Sequence, residues 1–262
     1  MQYFFNTWGS LEKKLLRARH ILLCADFDGT ITPIKPRPKE AKLGEGIRLL
    51  LRKISKRRPF IVGIISGRAL KDIEEKVGVK GLIFAGNHGL EIAYKKKNFI
   101  YPAAKRYVPL ISQIARSLKK RLAPFSGAIL EEKNLSLSLH YRLVKREKLP
   151  RLKEIFFRII RPYLAAQKIK LTYGKKVWEV RPPIEWDKGR AVLWLAQRLG
   201  PGRAFTVYIG DDATDEDAFR AVNKIGGISI RVGRKRGSSA RYYLRNTKDA
   251  QRFFRRIGSL KK

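Results

Sequence analysis

Short runs of consecutive apolar residues, each ending on a small polar cluster, alternate along this chain with segments of helical period. Ile21 to Ala25 is such a run and ends at Asp26. Phe60 to Ile65 ends at Ser66-Gly67-Arg68, Leu82 to Ala85 at Gly86-Asn87-His88-Gly89, and Ala204 to Ile209 at Gly210-Asp211-Asp212. Unbroken apolar runs of this length fit strands buried on both faces, as in a parallel sheet. Helical patterns lie between them near Glu45 to Lys56, Ala69 to Val77 and Lys188 to Leu199. The alternation predicts an α/β fold, a Rossmann-like doubly wound parallel sheet. Every polar cluster then falls just past the carboxyl end of a strand, the edge at which open α/β sheets bind ligands.

The middle of the chain has a different rhythm. Glu91 to Tyr94 and Phe99 to Tyr101 read as a hairpin around Lys95-Lys96-Lys97-Asn98, followed by a helix from about Lys105 to Leu122. Ala128 to Glu132 and Leu135 to Tyr141 read as strands, the second with Leu135, Leu137 and Leu139 on one face. A helix from about Leu149 to Leu164 and a strand from Ile169 to Tyr173 complete the segment. Strands and helices without βαβ alternation predict a separate α+β unit. The expected organisation is a core of 1–96 and 175–262 interrupted by an inserted α+β cap at 97–174.

A length of 262 residues accommodates a core and a smaller companion, and 44% hydrophobic content excludes a disordered chain. No stretch approaches the ~18 apolar residues of a membrane span. The opening residues lack the charged-then-apolar order of a secretion signal. The single cysteine, Cys24, excludes a disulfide framework and a cysteine-built metal site. These features make the cytoplasm the expected compartment, with no membrane partner.

A net charge of +37 invites a nucleic-acid reading. The basic clusters are spread along the whole chain, from Lys13-Lys14 through Arg231 to Arg236 and Arg252 to Arg256, with no zinc-finger spacing or aromatic RNA-binding signature. A solvated basic surface with no specific nucleic-acid partner is the expectation, and its field attracts anionic substrates. The acids are scarcer and more telling. Of nine Asp, seven fall in three short segments: Asp26 and Asp28; Asp187; and Asp211, Asp212, Asp215 and Asp217.

Two carboxylates two residues apart at a strand end, Asp26 and Asp28, with Gly29 allowing a tight exit, suit nucleophilic attack on phosphorus and proton transfer to the leaving oxygen. A strand-end Asp also caps helices and turns, so the pair alone leaves both roles open. Asp211 and Asp212 offer hard oxygens of the kind Mg²⁺ prefers, with Asp215 as support; the acids that follow also suit a helix N-terminus. Ser66 and the amides after it can hold phosphate oxygens, and Lys188 supplies positive charge for a phosphoryl group in transfer.

This order of motifs resembles the haloacid dehalogenase superfamily of phosphatases: D-x-D-x-T at Asp26/Asp28/Thr30, then Ser66, Lys188 and the Asp211/Asp212 pair. Within it the chain resembles the trehalose-6-phosphate phosphatase family. The resemblance rests on Gly86 to Glu91, on Glu131-Glu132-Lys133 with Ser138 to Arg142, on Val177 to Pro182 with Asp187-Lys188-Gly189, and on Gly210 to Asp217. It implies a phosphoric monoester hydrolase with Asp26 as nucleophile, Asp28 as acid/base, and Lys188 as the third catalytic group. It implies Mg²⁺ as cofactor, held by Asp26, Asp28 through its carbonyl, Asp211 and Asp212. Thr30, Ser66, Gly67, Arg68, His88, Glu131, Lys133, Arg142 and Glu179 are implied as substrate-binding residues, with Glu131, Lys133 and Glu179 on the sugar hydroxyls. A synthase making the sugar phosphate is the implied pathway partner. The alternatives are a phosphatase for another sugar phosphate, of sucrose or mannosylglycerate type, and a basic nucleic-acid-binding protein on a relic phosphatase fold.

Overall fold

The computed structural model describes residues 1–95, 97–199 and 204–260, so Lys96 of the predicted hairpin turn and the terminal lysines lie outside the described residues. The strands are β1 (Gln2–Tyr3), β2 (Ile21–Ala25), β3 (Phe60–Ile65), β4 (Ile83–Gly86), β5 (Glu91–Tyr94), β6 (Lys97–Ile100), β7 (Ile129–Glu132), β8 (Leu137–His140), β9 (Lys170–Gly174), β10 (Val177–Arg181), β11 (Phe205–Gly210), β12 (Ile228–Val232) and β13 (Tyr242–Leu244). The helices are α1 (Trp8–Arg17), α2 (Glu45–Ser55), α3 (Leu70–Val77), α4 (Pro102–Lys105), α5 (Val108–Leu122), α6 (Leu149–Ala165), α7 (Lys188–Leu199), α8 (Glu216–Lys224) and α9 (Thr247–Ser259).

The chain divides into a larger unit, 1–99 with 186–262, and a smaller one, 100–185. The larger carries a nine-stranded sheet in the order β1-β13-β12-β11-β2-β3-β4-β5-β6, parallel from β1 through to β4 and turning antiparallel at β5. Alternate residues of one strand feed opposite faces, as the two-residue period requires. Ile21, Leu23 and Ala25 join α1, α2, α3 and α9 through Leu11, Leu15, Leu51, Ile54, Ile73 and Phe254. Leu22 and Cys24 join α7 and α8 through Val192, Leu195, Phe219 and Val222 on the other face. The sheet is thus covered on both sides, which explains the unbroken apolar runs. Chain order runs from β2 outward through β3 and β4 on one side, while β11 returns to the other side of β2. That reversal places a crevice at the carboxyl ends of β2 and β11.

The smaller unit is a four-stranded antiparallel sheet, β7-β8-β10-β9. Leu137, Leu139, Trp178 and Val180 pack with Ile111, Ile114 and Leu118 of α5 and Leu152, Phe156 and Ile160 of α6. Strand β10 lies within the span assigned above to the core, yet it pairs along its length with β8 and β9. Its Trp178 and Val180 face the helices while Glu179 and Arg181 fall on the opposite face, the pattern of a sheet packed on one side.

Candidate active site

Asp26 leaves β2 with its amide donating to the Ile209 carbonyl of β11 at 2.8 Å, so the ends of the two strands are tied together. Lys188, the first residue of α7, places its Nζ 2.8 Å from Asp26 Oδ1 and 2.7 Å from Asp215 Oδ1. Asp215 is fully buried and further accepts from the Tyr208 hydroxyl at 2.7 Å and from the amides of Asp211 and Asp212 at 2.8 and 2.9 Å. The Thr30 hydroxyl lies 3.2 Å from Asp211 Oδ1 and 3.5 Å from Asp26 Oδ2, bracing the two acids. Carboxylate oxygens of Asp26, Asp211 and Asp215 all fall within 4.8 Å of one another.

The two carboxylates that share Lys188 behave oppositely. Burial pushes Asp26 well above the ordinary carboxylate range; Lys188 opposes this, while Asp215 and Asp211 add to it. Burial works on Asp215 too, but the Lys188 charge and its hydrogen bond, the Asp212 amide and the Tyr208 hydroxyl outweigh it and hold the group below its ordinary value. Burial alone would lower the Lys188 pKa; Asp215 and Asp26 raise it, so the ammonium stays charged. Asp215, with four donors on it, is the better neutralised of the two, while Asp26 receives the Lys188 ammonium and the Thr30 hydroxyl.

The donor set fits a magnesium ion: hard carboxylate oxygens of Asp26 and Asp211, with Asp215 already saturated by four donors. Gly29 makes room for this. At φ +83° it takes a left-handed conformation, and a Cβ there would stand 2.2 Å from Asp211 Oδ2. Asp212, grouped above with the metal ligands, lies outside the cluster of three and opens the short turn Ala213–Asp215 as its N-cap.

Asp28 and Arg68 form a second constellation. Arg68 donates Nε to Asp28 Oδ2 at 2.6 Å and Nη2 to Asp28 Oδ1 at 2.8 Å, while Nη1 reaches Asp72 Oδ2 at 2.7 Å and Nη2 the Pro38 carbonyl at 3.0 Å. Burial would lower the Arg68 pKa, but Asp28 and Asp72 raise it. The Arg68 guanidinium is committed to the acid two residues after Asp26. Ser66 is buried at the end of β3 and its hydroxyl accepts from the Arg68 amide at 3.3 Å. Asn87, His88 and Gly89 run through three left-handed conformations (φ 49°, 58° and 93°), which lets the Asn87 and His88 amides donate to the carbonyls of Arg68 and Ser66 at 2.7 and 2.9 Å. The loop after β4 is thereby stitched to the loop after β3, and the His88 ring packs where a Cβ on Gly67 would stand, 2.7 Å from Cε1.

In the smaller unit Glu179 is buried and accepts from Lys133 Nζ at 3.0 Å, Ser136 at 3.1 Å, Ser138 at 3.5 Å and Thr172 at 3.4 Å. Glu131 pairs with His140 Nε2 at 2.9 Å. Arg142 is exposed and donates to the Lys175 carbonyl at 2.6 Å. Two residues of the larger unit escaped the sequence reading. Tyr208 sits inside an apolar strand, and Arg231, counted with the surface cluster 231–236, is buried. Arg231 donates to the carbonyls of Asp211 and Asp212 and to Glu216 Oε1, the last at 2.9 Å. Its signal was positional: it lies between Ile230 and Val232 in β12, opposite Gly210, at the same sheet edge as Asp26 and Asp211.

A family profile described as trehalose-phosphatase matches residues 24–249. Trehalose 6-phosphate phosphatase RA3 of Zea mays is 34% identical over 263 residues, covering 94% of this chain and 72% of the maize protein. Probable trehalose-phosphate phosphatase 4 of Oryza sativa subsp. japonica is 34% identical over 249 residues, covering 92% of this chain and 66% of its own length. The C-terminal domain of a trehalose-6-phosphate phosphatase from C. albicans superposes with a TM-score of 0.82 at 21% identity over 97% of both chains, a likeness of fold.

Proposed function

Since this chain belongs to the trehalose-phosphatase family, we propose that it hydrolyses trehalose 6-phosphate to trehalose and phosphate through an aspartyl-phosphate on Asp26. The observation that carries the reading is the Lys188 ammonium seated between Asp26 and Asp215, with Asp211 in the same cluster. Asp26 supplies an oxygen that bonds to phosphorus as the sugar–oxygen bond to phosphorus breaks. Asp28, after taking up a proton from solvent, passes it to the departing sugar oxygen and is left as the carboxylate that Arg68 holds. It later takes a proton from the water that attacks phosphorus as the bond to Asp26 breaks. Lys188 neutralises the phosphoryl oxygens as charge shifts. Asp26, Asp211 and the Asp28 carbonyl would hold Mg²⁺, whose charge when bound keeps Asp26 ionised and attracts the phosphate. Ser66, Gly67 and Thr30 line the phosphate end, and Arg68 sets the position of Asp28.

The smaller unit, as the cap, gives the sugar its partners in Glu131, Lys133 and Glu179. The hydroxyls of Ser136, Ser138 and Thr172 and the Lys133 ammonium on Glu179 support a preformed polar surface rather than a flexible one. A single buried cysteine fits a reducing compartment such as the cytoplasm; among the described residues no helix is long and apolar enough to cross a membrane. Phosphate release measured on trehalose 6-phosphate, sucrose 6-phosphate and a mannosylglycerate phosphate, with and without Mg²⁺, tests the reading. Preference for either of the latter two would replace the substrate while keeping the chemistry. Full turnover in chelator would overturn the metal assignment.

A further inference from the structure

Four aromatic rings at the far edge of the nine-stranded sheet each carry an arginine. Arg234 lies 5.7 Å over Tyr243, Arg245 lies 4.5 Å over Tyr3, Arg252 lies 4.2 Å over Phe5, and Arg256 lies 5.1 Å over Trp8 and 5.4 Å over Phe5. The rings form a row. Tyr243 and Tyr3 have centroids 5.5 Å apart, and Tyr3 and Phe5 are 5.7 Å apart. The row is built by β1, which pairs with β13 in parallel (Tyr3 opposite Tyr243), and by α9, which contributes the exposed Arg252 and the half-buried Arg256. Arg241, Lys248 and Arg255 are exposed on the same elements. The acid within the row, Asp249, is spent on the Tyr3 hydroxyl and the Arg245 amide, at 3.0 Å each. Glu12 lies beside Trp8, Arg255 and Arg256 at one end.

A guanidinium laid on a ring is held in place at little entropic cost, with its N–H fork free at the edge. The rings beneath the forks stand 5.5 and 5.7 Å apart, so several positioned guanidinium groups lie along one edge, the donor type suited to successive backbone phosphates. We infer that this edge is a binding surface for the phosphate backbone of a single-stranded nucleic acid, read without regard to sequence. The ring faces are covered by guanidinium and Trp8 is 9% exposed, so the aromatic side chains of the row are not presented as the apolar anchors a membrane surface would require. The surface is remote from Asp26: four strand spacings separate β1 from β2, about 19 Å of sheet.

The test uses the full chain and a labelled oligouridylate of about 16 nucleotides, with affinity followed across salt concentration. The triple variant Arg245→Gln, Arg252→Gln, Arg256→Gln should weaken binding about 100-fold near 0.1 M salt and flatten the log–log salt slope by about 2. The control Lys119→Gln, Lys120→Gln, Arg121→Gln on α5 removes the same charge elsewhere and should change neither. Should the glutamine variant fold poorly, the lysine triple at the same positions keeps the charge without the stacked fork; it should bind several-fold more weakly with the slope retained. Equal loss in patch and control variants would mean diffuse attraction by net charge and would overturn the assignment. So would tighter binding to phosphatidylglycerol vesicles than to the oligonucleotide.

Discussion

Arg68 grips Asp28 through two parallel hydrogen bonds, at 2.6 and 2.8 Å, and is itself anchored by Asp72 at 2.7 Å. The carboxylate assigned to proton transfer is therefore held by a buried fork of fixed geometry. Arg68→Lys keeps the charge and loses the fork. It should slow hydrolysis of a sugar phosphate, whose alkoxide leaving group needs protonation, on the order of 10²-fold. p-Nitrophenyl phosphate hydrolysis should change far less. The double variant with Asp28→Asn should be no slower than Asp28→Asn alone, because both remove one function. Equal loss on the two substrates, with a raised constant for phosphate inhibition, would place Arg68 on the phosphate instead.

Metal affinity should depend on pH through Asp26. Burial holds its pKa well above the ordinary range, so below that raised value a cation must displace a proton to bind. Mg²⁺ affinity should therefore rise with pH, by up to about tenfold per unit, until Asp26 is ionised, and then level off. Calorimetry in buffers of different ionisation enthalpy reads the released proton directly. A flat affinity from acid to neutral pH would contradict a protonated Asp26. Asp211→Ala should raise the Mg²⁺ requirement sharply at every pH.

Sugar selectivity should reside in the smaller unit. Losing one hydrogen bond to a charged group costs about 1.5–3 kcal/mol, or roughly 10- to 150-fold in kcat/KM. Glu131→Ala and Lys133→Ala should show that loss on trehalose 6-phosphate and little on p-nitrophenyl phosphate. Glu179 neutralises the buried Lys133, so Glu179→Gln is the informative change there; Glu179→Ala would strand the ammonium and damage the fold. Parallel losses on both substrates would show these side chains supporting the unit's structure alone.

Cys24 should report on unfolding. Burial lifts its thiol from the ordinary 9.0 to about 12. The native state then holds the proton more tightly than the unfolded state. The contribution to stability is full below 9.0 and drains away as pH rises toward about 12, at up to ~1.4 kcal/mol per unit. Denaturant titrations should show a flatter alkaline decline for Cys24→Ala than for the parent chain. Alkylation of the native thiol should be slow and track the global unfolding rate; rapid labelling of the folded protein would refute the burial.

The parts of the site that could be read from the sequence are those that interrupt an apolar run with a residue of different chemistry. Asp26, Ser66 and Asp211 do so at strand ends, and Lys188 was visible only beside Asp187 and Gly189. Tyr208 was hidden because a hydroxyl within Phe205–Gly210 reads as one more core aromatic until Asp215 is seen beneath it. Arg231 was hidden by its neighbours, since a basic run on a +37 chain carries little information about which member turns inward. The role of Arg68 depends on where Asp28 and Asp72 fall in space, which no spacing rule encodes. In the fold, β12 and β13 and the helices α1 and α9 went unassigned because short strands and strongly charged helices dilute the apolar signal.

Lys188 and Asp26 stand 162 residues apart in sequence, and the pairing of β2 with β11 closes that span. On the ribosome, β2, β3 and β4 can assemble early, and the continuous segment 100–185 can fold next, before either Lys188 or Asp215 has been made. Asp26 thus spends most of synthesis without Lys188, Asp211 or Asp215. Loop-closure entropy grows only logarithmically with length, so the long span costs little stability, but waiting for so distant a partner slows assembly. The Asp26–Lys188–Asp215 cluster is completed only once β11 pairs with β2, and a nascent chain released before β11 emerges lacks it however well its first half has folded.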